Sequence, residues 1–208
     1  MKTTHPPSAP PPFSARCGAA LLLLGTSLFL SGCASVDRIT APSLKGDPST
    51  SSVVVVKCES SWRGMLGFKE SQNVVSGAIL SIRGPKQVNI VNGRGVANLL
   101  IFSDVTPGEY NLGRVETTRH VANQGTWHES YNIPGEDARN YVFTVKAGEP
   151  KYLGVVTVEE TQKLKRSVVF GLQQSKEAEI AAWEKFNSLY AESAWANAVR
   201  KRISELKQ

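Results

Sequence analysis

His120 and His128 are two histidines, close together in the sequence, that could bind a metal or act as a base. His120 and His128 flank Asn123-Gln124-Gly125, which has the composition of a three-residue hairpin loop. With that loop, His120 faces His128 and Arg119 faces Glu129. The Cβ atoms of the two histidines are then about 5 Å apart. Zinc needs a third and a fourth ligand, and the neighbours on that face carry hydroxyls, which are poor zinc ligands. We therefore expect a solvated hairpin and no bound metal, with His120 and His128 as weak candidates.

Cys58 is the thiol that could serve as a nucleophile. It follows Val53–Val56 and shares the strand phase of Val54 and Val56, which predicts a buried small hydrophobe. No base can be assigned to it, and the sequence carries no nucleophile elbow, Walker loop, zinc-protease or paired-cysteine motif. These observations predict a protein that is not an enzyme and has no cofactor.

Aromatic residues suggest a contact surface instead. Trp62, Met65 and Phe68 stand among glycines just after the first predicted strand, and Trp127 lies in the histidine hairpin. These four residues are the candidates for contact with a ligand or partner. The segment around Trp62 either forms an exposed loop or folds back over one end of the β-domain.

Another cysteine, Cys33, follows an apolar leader. Lys2 and Arg16 precede an apolar stretch over residues 17–30, and no acid occurs before Asp37. This is the pattern of a secretory signal, predicted here as residues 1–32. The apolar stretch of about 14 residues is shorter than the roughly 20 needed to span a bilayer, which disfavours a retained transmembrane helix.

Leu30-Ser31-Gly32-Cys33 closely resembles the lipobox of bacterial lipoproteins. The resemblance implies a diacylglycerol on the Cys33 sulfur, cleavage before Cys33 and acylation, for example with palmitate, of the new amino terminus. Several acyl chains hold a protein stably on a membrane. Ala34 stands where such proteins often carry an inner-membrane-retention aspartate, which implies an outer-membrane anchor facing the periplasm. The alternative is an ordinary signal peptidase that leaves Cys33 as a free thiol.

Charge and cysteine content limit the partners. Removing residues 1–32 takes away two basic groups and no acid, so the net charge of +6 falls to +4. Basic residues form no long run, so nucleic acid is not an expected partner. With Cys33 lipidated, Cys58 has no partner for an intramolecular disulfide.

The rest of the chain divides into three parts. Residues 33–52 read as the lipidated cysteine and a flexible tether rich in Ser and Pro, with a maximum span of about 65 Å. Residues 53–172 alternate short β-branched or aromatic runs with turn residues, one of them Asn92-Gly93-Arg94-Gly95. Seven or more such strands predict a mainly β fold, an antiparallel β-sandwich.

Two stretches of this β region resemble transthyretin-like, carboxypeptidase-regulatory-like domains. They are Asp104–Leu112, with a Pro-Gly turn before a Tyr-x-Leu strand, and Lys146–Gly154, with a Gly turn before Tyr-x-Gly. The resemblance implies a mostly non-catalytic sandwich and a hairpin at Lys146–Gly154. It assigns no binding residues.

Residues 173–208 change to a helical pattern. The apolar residues recur every three or four positions in two sets, Ile180, Trp183, Phe186 and Leu189, then Trp195, Val199, Ile203 and Leu206. The phase slips between them, where Ser193 could cap a second helix. We expect a helical pair or one kinked helix packed on the sandwich, with a partner-binding arm as the alternative.

The sequence thus predicts a lipid-anchored, non-enzymatic envelope lipoprotein, held in the outer membrane by its lipid. Its β-domain would contact an envelope protein or the cell wall. A small-ligand or glycan-binding module of the envelope is the alternative, and an enzyme is the least supported class.

Overall fold

A computed structural model describes residues 43–63, 69–82, 90–121, 125–133, 142–161 and 172–208. The strands are β1 (Ser52–Arg63), β2 (Lys69–Ser71), β3 (Asn73–Ser81), β4 (Ile90–Val96), β5 (Leu99–Val105), β6 (Gly108–Val121), β7 (Gly125–Asn132), β8 (Val142–Val145), β9 (Lys151–Thr161) and β10 (Leu172–Gln173). The helices are α1 (Lys176–Leu189) and α2 (Ala196–Lys207). The prediction of a mainly β fold followed by a helical pair is confirmed.

The strands form one curled sheet in the order β10-β9-β1-β5-β4-β3-β6-β7, with β2 beside β1 and β8 beside β6. The sheet is mixed, because β1 and β9 run parallel. An antiparallel sandwich is therefore not confirmed. The turn at Gly148, whose φ is +75°, joins β8 to β9, but these strands pair with β6 and β1 respectively. The predicted hairpin at Lys146–Gly154 is wrong because the chain crosses between distant parts of the sheet there.

Both faces of the sheet are covered at β1, which explains its unbroken valine run. Val54 and Val56 point into the inner core. There, side chains of β9, β1 and β5, which form one half of the curled sheet, meet those of β3, β6 and β7, which form the other half. The residues that share this core include Leu100, Phe102, Tyr110, Leu112, Val115 and Tyr131. Val53 and Val55 point the other way, into a helix-side core. Strand alternation therefore divides one apolar run between two cores.

The helical pair completes the helix-side core. Trp183, Phe186 and Trp195 are fully buried there. Ser175 begins α1 as its N-cap, since its hydroxyl accepts a hydrogen bond from the Ala178 amide at 3.0 Å. Within the described residues, neither helix is long and apolar enough to span a bilayer.

The predicted cap at Ser193 is wrong. Trp195 occupies the N-cap position of α2, and no side chain caps that helix. The Ser193 hydroxyl instead donates to the Tyr190 carbonyl at 2.8 Å, which satisfies a backbone acceptor at the end of α1. Ser193 therefore closes the first helix rather than opening the second.

The folded unit includes residues that composition assigned to the tether. Leu44 packs against the helix-side core, and Ser51 and Ser52 are buried. Asp47 organises this stretch, because its carboxylate accepts the Ser49 amide at 2.8 Å and its carbonyl accepts the Ser51 hydroxyl at 2.9 Å. Within residues 43–52, Leu44, Ser51 and Ser52 are therefore packed as part of the domain.

The predicted turn at Asn92–Gly95 is also wrong, since β4 runs straight through it. The turn lies at Ala97 and Asn98, whose φ angles of +49° and +67° suit a two-residue hairpin. Gly93 and Gly95 instead allow neighbouring groups to lie close to the backbone of β4. A Cβ on Gly93 would lie 2.6 Å from the Phe102 ring, and one on Gly95 would lie 1.9 Å from the Val74 carbonyl oxygen.

Gly95→Ala should therefore destabilise the fold. The clash is with the backbone of β3, which cannot rotate away as a side chain can, so we expect a loss of about 1–3 kcal/mol in the free energy of unfolding. Chemical denaturation measures it, with exposed Asn92→Ala in the same strand as the control. Equal midpoints for the two variants would show that β3 and β4 do not approach this closely.

Candidate functional site

The histidine hairpin forms, but in a different register from the predicted one. Val121 pairs with Gly125, whereas the prediction paired Ala122 with Thr126. His120 consequently faces Thr126, and His128 faces Thr118. Gly125 has a φ of +87°, a conformation that glycine adopts without strain, and this lets the strand begin there.

Each histidine is engaged by a hydroxyl rather than by the other histidine. His128 Nδ1 lies 2.9 Å from Thr118 Oγ1, and His120 Nδ1 lies 2.9 Å from Thr126 Oγ1. Among the described residues, no group of three or more His, Cys, Asp or Glu side chains is arranged to hold a metal ion. The observed arrangement of His120 and His128 thus offers a solvated polar surface.

Cys58 points into the inner core, as its strand phase predicted. It is 2 % exposed, and burial raises the pKa of its thiol to about 12. The thiol is therefore protonated at neutral pH, whereas the thiolate is the nucleophilic form. The geometry gives Cys58 a packing role.

Two of the four predicted contact residues meet at one arginine. The Arg119 guanidinium lies 4.3 Å from the centroid of the Trp62 ring and 5.6 Å from that of Trp127. We call Trp62, Arg119 and Trp127 the Trp–Arg cluster. Both distances lie within the range of a cation–π interaction. Trp127 remains 44 % exposed, so the cluster lies at the surface.

Strand alternation explains why these three residues meet. Trp62 lies on the same side of β1 as Val56 and Cys58, which face the inner core. On the β6–β7 hairpin, Arg119 pairs with Trp127 on the face that also carries the core pair Val115–Tyr131. Since β1 and β6 are not neighbours in the sheet, the cluster joins the two halves of the curl where the inner core ends.

Arg119 has unmet hydrogen-bonding capacity. Its Nε and Nη1 atoms are buried and have no hydrogen-bond partner among the described residues. The indoles supply a favourable electrostatic environment for the charge, but they offer no lone pair to these donors. The cluster therefore combines a fixed cation with an exposed aromatic face.

A polar cleft of about 500 Å³ opens where β1 changes neighbours. β1 pairs with β5 as far as Lys57 and with β2 from Ser61 onward. Cys58 and Glu59 lie in this gap. The remaining lining residues carry hydroxyls or amides and are Ser60, Ser61, Ser71, Gln72, Asn98 and Thr157.

Sequence reasoning identified part of this site. Trp62 and Trp127 were candidates, whereas Met65, Phe68 and the lipidation candidate Cys33 lie outside the described residues. Arg119 was missed as a site residue because the assumed register paired it with Glu129. In the observed register Arg119 faces Trp127, so the correct register would have revealed this pair but not the approach of Trp62.

No known protein family, curated protein or solved structure matches the chain.

Proposed function

We propose that this protein is a non-enzymatic bacterial envelope lipoprotein, anchored in the outer membrane through Cys33 and facing the periplasm. In this proposal the Trp–Arg cluster contacts an envelope protein or the cell wall. The observation that carries the contact role is the meeting of Trp62 and Trp127, from distant segments, at Arg119. Tryptophan and arginine are among the residue types enriched at binding hot spots.

The predicted tether leaves the cluster free to meet a partner away from the bilayer. Residues 43–52 lead into the start of β1, whereas Trp62 lies near its end, about 30 Å along a strand of 12 residues. Between Cys33 and Ser43 an extended chain reaches at most about 35 Å. A tether of this length would allow an anchored molecule to present the cluster away from the membrane.

A transthyretin-like sandwich is the finer form of the fold that we propose. Its support is the inner core shared by the two halves of the curl, together with Tyr110. The Tyr110 hydroxyl donates to the Thr106 carbonyl at 2.9 Å, an arrangement like the tyrosine corner of Greek-key sandwiches.

A module that binds a small ligand or a glycan is the second candidate. The polar cleft favours it, because hydroxyl and amide groups concentrated in one concavity suit a polar ligand. Catalysis has less support, since Cys58 is buried and protonated, and His120 and His128 are bonded to threonines.

Crosslinking in intact envelopes followed by purification tests the contact role. The wild-type protein should retain a specific envelope component, and a Trp62→Ala/Trp127→Ala variant should lose most of it, because aromatic anchors commonly contribute 2 kcal/mol or more to binding. Val142→Ala serves as the control, since Val142 is similarly exposed at 46 % and pairs with the opposite end of β6. Equal recovery with the double variant would place the contact elsewhere.

A further inference from the structure

The outer face of the sheet is not covered equally along its strands. The helical pair packs on the outer face of β1, where Val53 and Val55 join the helix-side core. Over β4, β3 and β8, in contrast, large aliphatic side chains remain in contact with solvent. Ile90 is 60 % exposed, Val142 is 46 % exposed and Ile82 is 42 % exposed. Single exposed aliphatic residues are common on protein surfaces, so their significance depends on whether they lie together.

The strand pairing places these residues in one row. Ile90 of β4 pairs with Leu80 of β3, which pairs with Asn111 of β6, which in turn pairs with Val142 of β8. Paired residues point to the same face of a sheet, and neighbouring strands lie about 4.8 Å apart, so the row is about 14 Å long. Ile79, the neighbour of Leu80 in β3, points into the inner core. The row therefore points outward.

Ile82 widens this row along β3. It lies two residues beyond Leu80, on the same side of the strand. Its amide donates to the Glu109 carbonyl at 2.8 Å, which continues the pairing of β3 with β6. We call the following four side chains the aliphatic patch: Leu80, Ile82, Ile90 and Val142. Exposed apolar residues that are contiguous in this way mark a surface that contacts a protein or a membrane.

The chain that leads toward Cys33 leaves the described domain beside the aliphatic patch. Ser43 lines the same cavity as Asn92 of β4. Asn92 lies two residues after Ile90 on the same face of that strand, about 7 Å along it. An extended chain between Ser43 and Cys33 reaches at most about 35 Å. A membrane that holds a lipid on Cys33 is therefore within reach of the aliphatic patch.

The border of the aliphatic patch carries charges of both signs. Lys45 and Arg94 line the cavity beside Asn92, and both are exposed. Asp104 lines the same cavity and Glu109 lies beside Ile82, and these acids are exposed as well. An apolar centre with a mixed, nearly neutral border suits the zwitterionic headgroups of a phospholipid surface better than a strongly anionic one.

We propose that the aliphatic patch rests against the phospholipid surface of the membrane that holds the anchor. The proposal rests on the proposed lipidation of Cys33, because four aliphatic side chains give a weak contact that needs the high effective concentration supplied by a tether. They also supply much less than the about 800 Å² that each partner buries in a standard protein interface, which disfavours a second copy.

This orientation is compatible with the contact role of the Trp–Arg cluster. Val142 pairs with Asn111, whereas Arg119 lies eight residues further along β6, about 27 Å away. A molecule that rests on its aliphatic patch therefore keeps the cluster at its other end. For the same reason Val142→Ala, which retains an apolar side chain, stays a control for the cluster.

A fluorescent probe beside the aliphatic patch tests the contact while leaving the patch intact. The mature protein, purified from membranes with Asn92→Cys, is labelled with an environment-sensitive dye and placed in zwitterionic phospholipid vesicles. Cys58 is buried and Cys33 carries the lipid in this proposal, so the introduced thiol takes the dye. We expect a blue shift, and loss of emission when the vesicles contain brominated acyl chains. Exposed Thr126→Cys, at the opposite end of the domain, should show neither effect.

A variant of the patch then locates the contact. Ile82→Ser/Ile90→Ser in the Asn92→Cys protein should abolish both the blue shift and the quenching, and circular dichroism confirms that this variant is folded. High salt should leave the quenching of the unsubstituted patch unchanged, because apolar contact is not screened by ions.

Three results would overturn the membrane contact. The first is equal emission of the Asn92→Cys probe with and without brominated lipid, or quenching that persists in the folded double variant. The second is a dimer in detergent that the double variant dissociates, which would assign the aliphatic patch to a second copy. The third is an unmodified Cys33 in the intact mass, which removes the anchor itself and is detected independently of the probe.

Discussion

Removal of residues 173–208 should lower the free energy of unfolding by several kcal/mol and expose an apolar sheet face. The helical pair buries Trp183, Phe186 and Trp195 completely against Val53 and Val55. Burial of each large apolar side chain contributes about 1.5–3 kcal/mol. Chemical denaturation and binding of a hydrophobic dye measure the two effects.

A point substitution tests the same claim in a chain that keeps both helices. Trp195→Ala should cost about 3–5 kcal/mol, because it empties a fully buried site. Lys201→Ala on the outer face of α2 should change stability by less than about 0.5 kcal/mol, since 81 % of the Lys201 side chain is exposed. If the truncated protein and Trp195→Ala both melt like the wild type, the helical pair is a separate arm.

Cys33→Ser should change where the protein is found. Serine cannot form the thioether that carries the diacylglycerol, so the protein should leave the detergent-soluble membrane fraction or accumulate with its leader uncleaved. Fractionation with an antibody to the folded domain measures the distribution. Cys58→Ser is the matched control, because that thiol is buried and should leave localisation unchanged.

Cys33→Ser protein that is cleaved and still sediments with membranes would contradict lipid anchoring. The membrane association would then come from the domain itself or from a partner.

Local patterns in the sequence were sufficient to predict much of the fold. The valine run at Val53–Val56 predicted a strand, and the apolar spacing around Trp183 and Trp195 predicted a helical pair or one kinked helix, of which the pair is observed. The parallel pairing of β1 with β9 was not predictable from these patterns, because it depends on where a distant strand returns. The turn predicted at Asn92–Gly95 was wrong. A glycine that lets a neighbouring strand approach closely cannot be told from a turn glycine by sequence alone.

The site was predictable only in part, for a similar reason. Trp62 and Trp127 were identified by residue type and by their polar, glycine-containing surroundings. Their meeting at Arg119 depends on the curl of the sheet and on a hairpin register that differs from the predicted one by the position of its loop. In a strand, moving the register changes every facing pair at once, so a small error in the loop hid the partner of Trp127.

The mass of the intact mature protein, purified from membranes, tests the central claim most directly. We predict a chain that begins at Cys33 and carries the added mass of a diacylglycerol on its sulfur and an acyl group on its amino terminus. A mature chain with an unmodified Cys33, or one cleaved at another position, would contradict the lipoprotein assignment.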